Sequence, residues 1–294
     1  MGVTVNIGRK NMKYYASING VEFYVGTKVS YESNWGLSNF SIKSGECYNP
    51  DIYRDQYGFW CDFIYPITQC ESKGYFNCLN TYDRACFTFG FLQYAAHVPN
   101  GDFIKYFRRL LATPEGKDYF SDLILNNGRI CKITDNGIKI IDSDTSTDEL
   151  MKYLNPSLDE VEDIEVINSA KFVHWCNNIP SHREIQVECG ITHIRNAMKN
   201  YAERYNLNGV IDKVCLVVAD IRHQGRGKSS EILHALNTGK DYNEVYNNLL
   251  KIGVHEYESR IKTLKDTIAN LVSEKRLEKM KYDINSRDFV PFSN

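Results

Sequence analysis

Apolar and polar residues alternate from Lys13 to Tyr31, around the pair Asn19-Gly20. Alternation with period two marks a half-buried strand, and Asn-Gly supplies the two positive φ angles of a type I′ turn, so this stretch predicts a β-hairpin. A second hairpin is predicted over 129–142, RICKITDNGIKIID, turning at Asp135, Asn136 and Gly137. Between the two hairpins the period changes. Apolar residues fall at 59, 60, 63, 64 and 67, and again at 103, 104, 107, 110 and 111. Both runs predict helices, the first divided into two pieces by Pro66, whose ring and missing N–H interrupt a helical ladder.

From about residue 146 the spacing is helical almost to the end. STDELMKYL opens with Ser146 and Glu149 at the separation of a capping box. EDIEVINSAKFVHWC, EIQVECGITHIRNAMKNYAERY, GVIDKVCLVVADIRHQG, DYNEVYNNLLKIG and YESRIKTLKDTIANLVSEKRL each repeat apolar residues every three or four positions. The expected fold class is therefore mainly α (α+β) with a small β element. Three regions follow: an N-terminal β-hairpin region (1–45), a lobe holding the small β element (46–145) and a helical second lobe (146–294). Clefts form between such lobes, and a ligand site is expected there.

Composition narrows the function. The 294 residues are 43% apolar, enough for a substantial core, and carry a formal net charge of −2 with lysine and arginine scattered. No positive field is available to hold a nucleic acid backbone, so nucleic acid is not an expected partner. The longest apolar run, VCLVVA at 214–219, falls far short of the roughly 20 residues of a membrane span. Nine cysteines, never spaced C-x-x-C, argue against a zinc site and against a complete disulfide framework. Neither a metal nor another cofactor is expected. The start, MGVTVNIGRKNMKYYASING, lacks the apolar region and cleavage site of a secretory signal. Synthesis in the cytoplasm is expected, with export or release by another route, such as phage lysis or injection as an effector.

The candidate chemistry lies in ESKGYFNCLNTYDRACFTFGF, residues 71–91. Two carboxylates flanking a sugar linkage suffice for glycosidic hydrolysis if one keeps its proton and the other is ionised. Glu71, on a helix among Tyr65, Tyr75 and Phe76, is expected to be the acid, because burial disfavours its charged form. Asp83, beside Asn80, Thr81 and Arg84, is expected to stay ionised as the base. Thr88 presents a hydroxyl to the attacking water, and Gly90 lets a sugar ring approach the backbone. Tyr82, Gly90 and Gln93 are read as substrate contacts. The competing reading makes Glu71 a helix-end charge and Asp83 the start of a turn.

The run from Asp83 to Phe91, with Glu71 upstream, resembles the active-site stretch of lysozyme-like glycoside hydrolases, most of all the chitosanases of glycoside hydrolase family 46. The resemblance implies a two-lobed helical fold with the small β element at the cleft. It also implies a helix-borne Glu71 as general acid and Asp83 as general base of an inverting mechanism. Thr88, five residues beyond Asp83 in a Thr-x-Gly sequence, would help hold the water. A second segment, VADIRHQGRG at 218–227, resembles a later helix of that family, with an extra Gln before the Gly. It implies that Asp220, His223 and Arg226 project from a helix end toward the glycan. The Glu71-to-Asp83 interval is shorter than in the family, and the N-terminal hairpin has no counterpart there.

Other candidates are weaker. Glu32 in YESNWG resembles the single catalytic glutamate of lytic transglycosylases, but no Gly-rich β segment with an ionisable partner follows it closely. His97 and His223 are more readily structural than catalytic. Twenty tyrosines suit stacking on sugar rings, although most serve a core. The expected activity is hydrolysis of β-1,4-linked amino-sugar polymers, with peptidoglycan or chitosan as the polysaccharide partner. The lysozyme resemblance and the missing secretory signal favour peptidoglycan, as in an antibacterial cell-wall hydrolase. An immunity or delivery partner is unassigned. The alternative is a non-enzymatic glycan-binding or interaction protein on the same scaffold.

Overall fold

The computed structural model describes residues 2–292. The chain forms two compact units, one made of residues 1–47 and 75–190, the other of residues 48–74 and 191–294. These boundaries differ from the three consecutive regions read from the sequence: each unit is built from two separate stretches of chain.

The first unit is organised by a seven-stranded antiparallel meander with strands in chain order: Asn6–Lys10, Lys13–Ile18, Val21–Tyr31, Asn34–Ser38, Leu79–Asn80, Thr88–Phe89 and Tyr94–Ala95. The predicted hairpin is present, with Ile18 opposite Val21 and positive φ at both Asn19 and Gly20. Ser38 pairs with Asn80. The N-terminal strands and the short strands of the candidate stretch therefore belong to one sheet rather than to separate regions. Arg129–Thr134 and Gly137–Ile140 form the second predicted hairpin. A third strand, Leu123–Asn126, joins them through Asn127-Gly128, both at positive φ.

Phe172, on the Asp163–Asn178 helix, is the hub of this core, its ring centroid 5.1 Å from those of Phe87 and Phe107 and 5.2 Å from that of Phe89. Alternation along the strand explains the arrangement: Phe87 and Phe89 turn inward, and Thr88 between them takes the opposite face.

In the second unit the helices are Pro50–Tyr57, Trp60–Ser72, Asp212–Gln224, Ser229–Thr238, Tyr242–Leu250 and Glu258–Ser273, followed by a hairpin of Met280–Asp283 and Asp288–Pro291. Of the Pro180–Tyr205 helix, residues 180–190 belong to the first unit and residues 191–205 to the second. The first predicted helix is not divided at Pro66, which sits inside the continuous Trp60–Ser72 helix; Gly58 (φ 57°, ψ −138°) instead separates that helix from Pro50–Tyr57 before it. Asp212, fully buried, accepts the backbone N–H groups of Glu278, Lys279 and Met280 and so ties the terminal hairpin to a helix start.

With 45% helix and 20% strand the chain is of mixed α/β class: the expected combination of helices and β elements is present, but the chain is not clearly mainly helical. The sequence pattern missed the Asn34–Ser38, Leu123–Asn126 and terminal strands because each is four or five residues long, too short for a period to declare itself. Among the described residues no helix is long and apolar enough to cross a membrane. Among the described residues the nine cysteines form no disulfide.

Candidate functional site

Of the nine residues singled out in the sequence, Glu71, Asp220, His223 and Arg226 meet in the second unit, while Tyr82, Asp83, Thr88, Gly90 and Gln93 belong to the first. Each group has a definite local construction.

Glu71 lies in the last turn of the Trp60–Ser72 helix, which ends through left-handed Lys73 and Gly74. Its Oε1 is 2.8 Å from Arg260 Nη2 and 3.5 Å from His223 Nε2. Among the described residues Oε2 has no hydrogen bond or ion pair within the protein. The side chain is 17% exposed. It thus occupies an ion-paired corner rather than the apolar pocket expected for it.

Arg260 is the organising residue. The same Nη2 that meets Glu71 donates to Asp220 Oδ1 at 2.7 Å, and Asp220 Oδ2 accepts from Arg226 Nη1. Arg226 also donates Nε to the Ile252 carbonyl. Two carboxylates and two guanidiniums therefore balance, as buried charge requires. Burial opposes the charge on Arg260, but Glu71 and Asp220 outweigh it and hold the guanidinium above its usual range. Burial lowers the pKa of His223, against the pull of Glu71, so this imidazole is disposed to be neutral. Its ring centroid is 6.0 Å from that of His193. Beside the cluster, burial pushes the Cys70 thiol up to about 12, leaving it inert.

The second-lobe segment departs from expectation here. The helix does end at Gly225 in the left-handed conformation, but the side chains of Asp220 and Arg226 are both wholly buried and bonded to each other instead of projecting toward solvent. Asp220 is taken up by Arg226 and Arg260, while His223 Nε2 stands 3.5 Å from Glu71 Oε1.

In the first unit, Asp83 lies in the loop between Leu79–Asn80 and Thr88–Phe89. Its Oδ1 accepts the Ala85 N–H at 2.8 Å and its Oδ2 accepts Asn80 Nδ2 at 3.1 Å. Asn80 stands opposite Thr88 in the strand register. It thereby links the carboxylate to the threonine, and the five-residue step from Asp83 to Thr88 places the two in one neighbourhood. Beneath the loop, Asn155 Nδ2 donates to the Thr81 and Cys86 carbonyls, and the Thr81 hydroxyl donates to buried Glu165. Burial raises the pKa of Glu165 to about 8. Tyr82 is half-buried, its ring centroid 6.3 Å from that of exposed Tyr31.

Gly90 does not offer its backbone to a ligand. It is buried at φ +97°, and a Cβ there would meet Gln186 Oε1 at 2.5 Å. Gln186, fully buried on the Pro180–Tyr205 helix, accepts the Phe91 N–H and donates to the Phe76 carbonyl. Gln93 Nε2 is spent on the Gly90 carbonyl at 2.8 Å. The need for glycine is met by a protein side chain, not by a sugar.

Glu32 lies in the turn between Val21–Tyr31 and Asn34–Ser38, exposed and at φ 54°, and not on a helix. Arg260, Gln186 and Asn155 were missed by sequence reasoning. Each sits in an ordinary helical or loop context, and nothing in its local pattern distinguishes it from a surface or capping residue. The chain matches no protein-family model, no curated protein and no solved structure.

Proposed function

We propose that the chain is a lysozyme-like glycoside hydrolase acting on β-1,4-linked amino-sugar polymers, with Glu71 as general acid, Asp83 as base and Thr88 assisting the water. The carrying observation is the construction of Glu71: Oε1 pairs with Arg260 at 2.8 Å, with His223 Nε2 3.5 Å away, while Oε2 has no partner within the protein among the described residues. One oxygen sets the orientation of the carboxyl, and the other is open to a leaving group. The order of elements adds support, since a helix ending at a glutamate leads directly into three short antiparallel strands. Asp83 and Thr88, linked through Asn80, are the base-and-threonine pair that the family 46 resemblance implies, and inversion is the outcome proposed for it.

A second reading, a glycan-binding protein without turnover, is favoured by the hold of Arg260 on Glu71, since a carboxyl serving as an ion-pair partner need not transfer a proton. Zymograms on peptidoglycan and on chitosan, run with wild type and Glu71→Gln, separate the two. Hydrolysis by the wild type that drops at least about a hundredfold in the variant supports the enzyme. Equal rates in both remove Glu71 as the acid, and binding without hydrolysis in both supports the second reading. Release of the retained anomer in early turnover would remove the inverting assignment.

A further inference from the structure

The helices Trp60–Ser72 and Glu258–Ser273 run antiparallel in the second unit. Glu71 meets Arg260 at one end of the pair, and Asp62 meets Arg276 just beyond the other. Asp62 and Glu71 are nine residues apart on one helix, about 13 Å along its axis. Along this pair opens a pocket of about 390 Å³, within the range that accepts small-molecule ligands.

Its lining has a consistent chemistry. Tyr65 supplies half-buried ring surface; Tyr48, buried and stacked on Tyr53 at 5.7 Å, backs it with its centroid 6.3 Å away. Gln69 and Asn270 supply two carboxamides whose side chains make no hydrogen bond within the protein, among the described residues. Gly74 makes room for the first of them: at φ +80°, a Cβ there would come within 2.8 Å of Gln69 Nε2. The two charged residues of the lining are already committed. Glu274 pairs with Arg276 at 3.2 Å, and Arg276 also serves Asp62.

A pocket with an aromatic wall, unspent groups that both donate and accept, and no uncommitted charge fits a ring that has an apolar C–H face and hydroxyl or amide edges. An anion would find no unpaired cation there. We propose that this pocket is a binding subsite for a short, uncharged saccharide; the choice of sugar rests on the glycan-directed function proposed above.

The test is equilibrium titration of the full chain with tri-N-acetylchitotriose, followed by intrinsic fluorescence with the probe checked for integrity, and with trigalacturonate as the anionic control. Saturable binding of the neutral trisaccharide is expected. It should weaken tenfold or more in Gln69→Ala/Asn270→Ala, with circular dichroism and Tm unchanged, and measurably in Asn270→Ala alone, an exposed position where folding is not at stake. Absence of saturable binding by the wild type, equal affinity in the double variant, or tighter binding of trigalacturonate each overturns the subsite. The two proposals fail separately. Hydrolysis that persists without chitotriose binding removes the subsite and leaves Glu71 in place. Binding that persists while Glu71→Gln hydrolyses like wild type removes the acid and leaves the subsite.

Discussion

Arg260 stands 2.8 Å from Glu71 and turns the same terminal nitrogen to Asp220 at 2.7 Å. One guanidinium, 11% exposed, thereby joins a carboxyl with an open oxygen to one that is wholly buried.

Removing that guanidinium leaves Asp220 short of a partner in the interior. Arg260→Met is expected to destabilise the protein by about 3–5 kcal/mol in urea unfolding, the cost of breaking a buried pair on one side. Arg260→Lys should lose less, because it keeps the charge and forfeits only the shared geometry. A change within about 0.5 kcal/mol for Arg260→Met would show that the cluster contributes little.

Asp83→Asn keeps an oxygen for the Ala85 N–H and removes the charge. If Asp83 is the base, turnover should fall at least about a hundredfold with Tm nearly unchanged. Thr88→Val should lower turnover by about tenfold, since it deletes only a hydroxyl that makes no hydrogen bond within the protein among the described residues. Loss of stability without loss of rate would instead mark Asp83 as a turn residue.

Gly90→Ala meets both a left-handed backbone angle and the Gln186 amide. A cost of about 1–3 kcal/mol is expected. Gln186→Ala makes room but strands the Phe91 N–H and the Phe76 carbonyl. The penalty of Gly90→Ala should therefore be smaller in the Gln186→Ala background, and a double-mutant cycle showing strict additivity would contradict the proposed contact.

Glu165 sets an alkaline limit on stability. In the folded state it holds its proton up to about pH 8, whereas an unfolded glutamate releases it near 4.5. Between these values the native state binds more protons than the unfolded chain, so this contribution falls as pH rises and is lost above about 8. Glu165→Gln keeps the acceptor for Thr81 and Leu37 and cannot ionise. The variant should be more stable than wild type at pH 8.5, by on the order of a few kcal/mol, with the advantage vanishing toward pH 5. A difference in Tm that is independent of pH would refute this.

What the sequence determined by itself was local. Asn19-Gly20 forces its turn because two positive φ angles suit few other pairs, and the three-to-four spacing of the later segments produces helices because it collects apolar residues on one face. The Asp83-to-Thr88 step was legible for the same reason: both residues lie on one short strand-loop-strand, and Asn80 closes it within eight positions. The tertiary structure decided the partners. Gly90 and Gln186 are 96 positions apart, and no local pattern tells whether the space above a glycine belongs to a ligand or to a side chain from a distant helix. Asp220 and Arg226 follow a sequence consistent with projection from a helix end, yet Arg260 arrives from another helix to complete a balanced buried cluster. Periodicity reports which face of an element is buried. Only packing determines which charges meet there, because pairing energy depends on distance in space and not on separation along the chain.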